Sequence, residues 1–486
     1  MATEPGIPRE RGTAESLQHA EGPKNPTLRL VGAILAVLLP TILWFAPFGM
    51  DPQAQQALAI TSFMIISWMT EWIDHAIAGF IGCYLFWALG VVEEFSDAFA
   101  GFANDTPWFL MGAILIGAMA TKSGLARRIA YLVMSRAGTT YSGILLSLII
   151  TDFLLTFIVP SGLARVIIML AVALGLLEVF GMGRGSNIGR GMFLILTYTA
   201  TIFDKMIIAG AASITARGAI ERFGGVEVLW SRWMMAYLPC DLITIFVAWR
   251  LTLWLYPPEK QTLVGGDTFI RAELAKMGPW TAMEKRCLTL LLLALGLWVT
   301  DFLHHLSPAL IGLGVGLVAT LPPVGLLTAG DVKRSDFFPV FFVAAALSMG
   351  NVLVSTKALD VMTNAMFAWM GPLVTSVYSS TLVLYWTAFI YHIFLASEIS
   401  MLGTSIPVLM QFAKTRGLDP LTLGMIWTFA AGGKIFVYQN AVMITGYSYG
   451  YFSGRDMLKM GLLLTLVESL ILLFLVPLYW PLLGLG

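Results

Sequence analysis

The chain has 486 residues, of which 58% are apolar and only 12% charged, with Lys plus Arg and Asp plus Glu both numbering 29. Ordinary soluble domains carry about a quarter charged residues, so this composition excludes a cytosolic enzyme, a coiled coil and a disordered hub. Zero net charge also leaves no basic surplus for nucleic acid. Lipid is the solvent for most of this chain.

Residues 1–27 are polar, contain Pro and Gly and lack an apolar h-region, so they read as a disordered tail rather than a cleaved signal peptide. A membrane-crossing helix needs about 20 apolar residues. Windows near 29–48, 55–72, 74–92, 107–121, 192–220, 231–256, 287–303, 308–326, 337–355, 421–449 and 457–480 qualify, giving about eleven spans. Two further apolar stretches, 141–180 and 375–412, are too long for one crossing and are interrupted centrally by VPSGLAR (159–165) and ASEISMLGTS (396–405). Each reads as a re-entrant hairpin. Non-helical backbone at that depth survives only beside protein or water, so the tips are expected to line a cavity. Cys83, Cys240 and Cys287 stand singly, with no spacing for metal or redox chemistry.

Basic residues set the expected orientation. Lys122, Arg127, Arg128 and Arg136, then Arg184 and Arg190, then Lys260, Arg271, Lys276, Lys285 and Arg286, and finally Lys333 and Arg334 fall on connections on the side of the N-terminal tail. The acidic loop with Glu93, Glu94, Asp97 and Asp105 falls opposite, and Lys414 with Arg416 is an exception there. The tail is therefore expected in the cytoplasm and the C-terminus outside.

The polar segment 257–286, with Pro257, Pro258, Gly265, Gly266 and Pro279, is expected as a cytoplasmic linker between a first half, 28–256, and a second, 287–486. In the first half PWFLMGAILIGAMATKSGLARR leads into the hairpin with Ser161, and in the second FFPVFFVAAALSMGNVLVSTKALD leads into the hairpin with Ser397. Each hairpin precedes a long segment broken by polar residues, 192–220 and 421–449, and then one more span. An odd number of spans per half, with the divider inside, makes the halves inverted-topology repeats, a recurring plan of secondary transporters.

The stretches WFLMGAILIGAMATKSGLARRIA, VPSGLAR, LPPVGLLTAGDVKRSDF and VYQNAVMITGYSYGYFSGRDMLKMGL resemble the divalent anion/sodium symporter superfamily of di- and tricarboxylate transporters, including its citrate/dicarboxylate exchanger branch. The resemblance covers most of 30–486. It implies a homodimer in which a scaffold holds still while a transport domain of two hairpins and two broken helices moves an anion, elevator fashion. It also implies that hairpin tips, typically Ser-Asn-Thr, meet substrate carboxylates and help hold sodium. Here Ser161 and Ser397 keep the serine positions, whereas Gly162 and Leu163, and Glu398 and Ile399, replace the other two. Pro160, Ser161, Ala164 and Arg165 fit the exchanger branch better. Sodium sites, if kept, would lie near Ser161 and Ser397.

In the first break TATIFDKMIIAGAAS places Asp204 and Lys205; in the second AGGKIFVYQNAVMITG places Lys434, Gln439 and Asn440. Intramembrane charge is by default functional, and the two lysines are expected near the sodium positions of relatives, supplying positive charge for an anion. Asp204 reads equally as an internal ion-pair partner of Lys205. Glu398 reads as a proton carrier, a cation ligand or the partner of Lys434 or Arg165, and an unpaired carboxylate there would make transport pH-dependent. Arg165 suits a carboxylate or sulfonate bidentately or anchors the hairpin to carbonyls. His392 reads as a packing residue or a proton relay, Asp152 as a hairpin stabiliser, and the serines as substrate ligands or packing residues.

The expected protein is an all-α integral membrane carrier of small anions, di- or tricarboxylates first, working by sodium coupling or anion exchange. Its site is Ser161, Gly162, Arg165, Ser397, Glu398, Gln439 and Asn440, with Asp204, Lys205 and Lys434 compensating charge. No cofactor is expected beyond a possible Na+, the chain has no HExxH, Gly-x-Ser-x-Gly or P-loop signature, and the location is the cell inner membrane. The alternatives are a transport-inactive sensor or scaffold and a proton-coupled carrier of sulfonates or sulfate.

Overall fold

The computed structural model describes residues 26–485 apart from Pro160 and Ala396, so the expected tail lies almost wholly outside the described residues. Helices carry the fold, and β-pairing among the described residues is one isolated bridge, Thr140 with Thr262. In chain order the α-helices of eight residues or more are α1 (Pro26–Phe45), α2 (Pro52–Thr70), α3 (His75–Ala88), α4 (Asp105–Ser123), α5 (Leu125–Met134), α6 (Tyr141–Thr156), α7 (Gly162–Val179), α8 (Asn187–Ile202), α9 (Ala211–Ala219) and α10 (Trp230–Leu255). There follow α11 (Gly266–Lys276), α12 (Ala282–Val299), α13 (Pro308–Val318), α14 (Phe338–Ser355), α15 (Ala358–Phe367), α16 (Val377–Phe394), α17 (Glu398–Arg416), α18 (Pro420–Ala430), α19 (Ala441–Ser448) and α20 (Gly454–Leu478).

Among the described residues four helices, α7, α10, α14 and α20, are each long and apolar enough to cross a membrane, and α4 with α5 forms a fifth such unit bent by 66°. Five shorter apolar helices accompany them. The bend falls at Gly124, whose φ of 79° is the left-handed conformation that closes a helix and that glycine adopts freely. On α20 the residues Leu458, Leu462, Leu466, Leu470, Phe474 and Leu478, spaced by four, form an exposed apolar stripe, while Met457, Met460, Leu464, Glu468 and Leu472 are buried. An apolar outer face with polar groups inside is the reverse of a soluble protein.

Elements α4 to α10 and α14 to α20 repeat one order: a long helix, a short one, a helix–tip–helix hairpin, a helix broken into two and a long closing helix. The second hairpin extends to Arg416 rather than to 412, because Gly417, at φ 65°, is the residue that ends α17. Segment 257–286 is not a bare linker: α11 packs Ile270 into the core, and Tyr141 N donates to Gln261 O at 3.0 Å, tying the segment to the base of the first hairpin.

Small residues and prolines position the site. Helices α4 and α13 approach so closely at Gly112, Gly312 and Gly316 that a Cβ on Gly112 would run into the Gly312 carbonyl. Pro239 in α10 leaves the Met235 carbonyl without its helical partner. Tyr479 Oη donates to that carbonyl at 3.0 Å, fastening the end of the chain to the kink.

Candidate functional site

Both hairpin tips and both helix breaks converge on one cavity of about 690 Å³. Its wall includes Ser161 and Gly162 of the first tip, Asp204 and Gly210 of the first break, Ser397 and Glu398 of the second tip, and Gln439 and Asn440 of the second break. At its mouth stand Glu71, Lys122 and Asp336. Four helices begin at this wall: α7 after Ser161, α9 after Gly210, α17 after Ser397 and α19 after Asn440. A helix leaves its first N–H groups unpaired and carries positive partial charge at that end.

The two serines differ. Ser161 Oγ accepts from Ala164 N at 3.3 Å as an N-cap, whereas Ser397 makes no side-chain cap bond and leaves the first turn of α17 open. Asn440 caps α19 by accepting from Val442 N at 2.8 Å, and its amide donates to Glu398 Oε2 at 3.2 Å. Gln439 is fully buried: its carbonyl accepts from Ile435 N and Phe436 N at 2.7 and 2.8 Å, and its amide donates to the His392 carbonyl at 3.4 Å. Gln439 therefore folds the second break and ties it to the second hairpin.

Arg165 is fully buried and committed to protein. Its guanidinium donates to Asp152 Oδ1 at 3.2 Å, the Val159 carbonyl at 3.2 Å, Asp204 Oδ1 at 2.8 Å and the Ala200 carbonyl at 2.7 Å. It thus locks the first tip to the first break, with Asp152 behind it. Asp204 pairs with Arg165 and not with its neighbour Lys205, because the turn at Phe203–Lys205 sends adjacent side chains apart. Gly162 is required at this junction: a Cβ there would overlap Asp204 Oδ2 and crowd the Ala200 carbonyl.

The lysines lie behind the wall. Lys434 Nζ stands 3.0 Å from Glu398 Oε2 and donates to the Gly432 carbonyl at 3.3 Å. Lys205 Nζ donates to the Phe429 carbonyl at 3.0 Å, sits 4.2 Å over the Phe429 ring and pairs with Glu468 at 3.5 Å. Both ammonium groups therefore rest on carbonyls around the second break. His392 is fully buried on α16.

Sequence reasoning passed over Glu468, whose partner Lys205 is remote in the chain, and Asp241, both of which sit singly inside long apolar runs. It also passed over Tyr438, which lines the cavity and donates to the Ile393 carbonyl at 2.9 Å.

Apolar helices enclosing a cavity that the hairpin tips and helix breaks share define a multi-pass membrane protein of the transporter class. Residues 26–485 match the family described as the sodium:sulfate symporter transmembrane region, and the chain belongs to that family. It is 27% identical to a "Membrane protein" of Cupriavidus necator, with 93% of this chain and 92% of the relative covered. It is 25% identical to the "Citrate/succinate antiporter" of Escherichia coli (93% and 97% covered) and 26% identical to the "Sodium-dependent dicarboxylate transporter SdcS" of Staphylococcus saprophyticus (94% and 92%). The family is one of symporters, and the last two relatives are named as an antiporter and a transporter, not as enzymes.

Proposed function

We propose that this protein is a secondary active carrier of small anions, di- and tricarboxylates first, which binds them between the two hairpin tips. The observation that carries the reading is the convergence of four helix N-termini on one cavity. Each contributes roughly half a positive charge, so the four together match a dianion. The relatives' names, citrate/succinate antiporter and sodium-dependent dicarboxylate transporter, support this substrate class.

In this reading the Ser161 and Ser397 hydroxyls, the open N–H groups after Gly162 and Glu398, and the Asn440 amide meet the carboxylates. Arg165, Gln439 and Asp204 position them. The lysine ammonium groups on the Phe429 and Gly432 carbonyls stand in for bound cations, which favours sodium-independent transport over sodium symport. The repeated element order supports inverted repeats with eleven crossings and two re-entrant hairpins, and an elevator movement of hairpins, breaks, α10 and α20 within a homodimer. The basic connections favour the inner membrane with the N-terminus cytoplasmic, and the cavity mouth at Lys122 and Asp336 then faces the cytoplasm.

Thermal-shift measurements on purified protein test this, with succinate, citrate, sulfate and a sulfonate, each in sodium and in choline. Specific binding raises apparent stability by mass action. The expected result is stabilisation by dicarboxylates that is equal in both salts, followed by uptake in proteoliposomes. Stabilisation only in sodium refutes the role given to the lysines; binding without uptake marks a sensor instead.

A further inference from the structure

We propose that Asp241, Glu468 and Lys205 form a proton-binding site behind the cavity, and that its occupancy changes with the bound anion, so that protons move with the substrate. The inference rests on the anion-carrier reading above and names its coupling ion.

Asp241, midway along α10, is fully buried, and neither carboxylate oxygen has a hydrogen-bond partner among the described residues. Glu468 of α20 is 1% exposed and is paired with Lys205 at 3.5 Å. Lys205 is the cation that acts on both acids. A buried carboxylate left ionised without donors is costly, and one ammonium compensates one carboxylate. One acid of this pair therefore holds a proton.

The same imbalance runs through the charges clustered at the tips and breaks among the described residues. Asp152, Asp204, Asp241, Glu398 and Glu468 are five carboxylates set against three cations, Arg165, Lys205 and Lys434. Two negative charges lack a counterpart before any anion binds. Glu398 faces the cavity, Lys434 bridges from it at 3.0 Å, and Lys434 lies within electrostatic reach of both Lys205 and Glu468. An entering dianion adds charge beside Glu398 to a group already short of cations, so protons are taken up from cavity water as it binds and returned as it leaves. Each uptake forms one O–H bond on a carboxylate oxygen and changes no other bond.

The other groups facing this site are Tyr237 and Cys240 on α10 itself and Tyr385 of α16 beside Glu468. Of the other ionisable groups on helices packed against α10, Asp152 is engaged with Arg165, Tyr198 with the Lys434 and Met457 carbonyls, Asp301 with Trp230 N and Ser231, Glu284 with Arg128, and Asp456 with Tyr256 and Arg190. Asp241 thus has Lys205 as the cation within its reach, and Glu468 has Lys205 first, then Lys434, which is already paired with Glu398, and the Tyr385 hydroxyl.

Difference infrared spectra of the purified full-length protein, stepped from mildly acidic to mildly alkaline pH with and without succinate, read protonation directly. The expected result is a carboxylic-acid C=O band that grows with succinate and is lost in Asp241→Asn or in Glu468→Gln. In proteoliposomes with a trapped pH dye, succinate uptake acidifies the lumen, and Asp241→Asn reduces that acidification to the level of protein-free liposomes. A wild-type spectrum without such a band, or succinate uptake that leaves internal pH unchanged, overturns the proposal; the wild-type spectrum decides even where a variant does not fold. If succinate neither stabilises nor enters, the carrier reading fails, and the band still decides whether the acids hold a proton.

Discussion

Replacing Lys434 by Met removes an ammonium from a fully buried position while keeping most of the side chain's volume, so the loss is electrostatic rather than a cavity. Taking one partner from a buried ion pair costs about 3–5 kcal/mol, because the other charge is left uncompensated. The Asn440 amide at 3.2 Å stays on Glu398 and offsets about 1 kcal/mol of that, leaving a net loss of about 2–4 kcal/mol. Glu398→Gln alone strands the ammonium on the Gly432 carbonyl and is expected to cost a similar amount. The double variant keeps an amide beside Asn440 and buries no charge, so its cost falls below about 1.5 kcal/mol. A double-mutant cycle by denaturant unfolding in detergent, followed by tryptophan fluorescence, should give a coupling of at least about 2 kcal/mol. If the two single losses simply add in the double variant, Lys434 and Glu398 are not an energetic pair and the account of the second tip fails. Succinate affinity should fall about tenfold or more in Lys434→Met, the loss of a charge-compensating group worth about 1.4 kcal/mol.

Arg165→Lys keeps the charge but not the fork that reaches two carboxylates and two carbonyls; a loss of about 3 kcal/mol is expected, measured as unfolding free energy, and wild-type stability would show that the tip needs no such lock. Gly162→Ala drives a methyl into Asp204 and should cost about 1–3 kcal/mol and weaken succinate binding in a scintillation assay. Gly117→Ala, in open space on the cavity-facing side of α4, should instead gain up to about 1 kcal/mol of helix propensity. Beside Lys122, Asp331 is held below the usual carboxylate range by hydrogen bonds from Lys122 and then Thr328. Because its folded value is depressed, the stabilisation is present above the unfolded value of about 3.9 and is lost only as pH falls below that toward the folded value. Asp331→Asn should therefore lower the melting temperature by the same small step at neutral and at mildly acidic pH, a flatness that melts at the two pH values check.

The sequence by itself determined the solvent of the chain, the order of its apolar segments and the places where they break, because hydrophobic length and helix-breaking residues act locally. VPSGLAR and ASEISMLGTS sit where α7 and α17 begin, and TATIFDK and AGGKIF where the broken helices stop. That the two tips and the two breaks supply one cavity was also legible, since the two halves repeat one order, but the place of Arg165, Lys205 and Lys434 behind its wall and of Tyr438 on it was not. Nor were the partners of the buried charges. Adjacency in the chain suggested Asp204 with Lys205, whereas the turn between them directs Asp204 to Arg165, 39 positions away, and Lys205 to Glu468. Arg165 reads in the sequence as a group for a carboxylate ligand, and the folded tip spends it on Asp152, Asp204 and two carbonyls. Asp241 and Glu468 stand as single acids in apolar runs, which marks them as charges in lipid but leaves their surroundings unspecified. A buried charge is governed by whatever lies within a few ångströms in a medium of low dielectric, and that neighbourhood is assembled only when α10, α20 and the two breaks pack together.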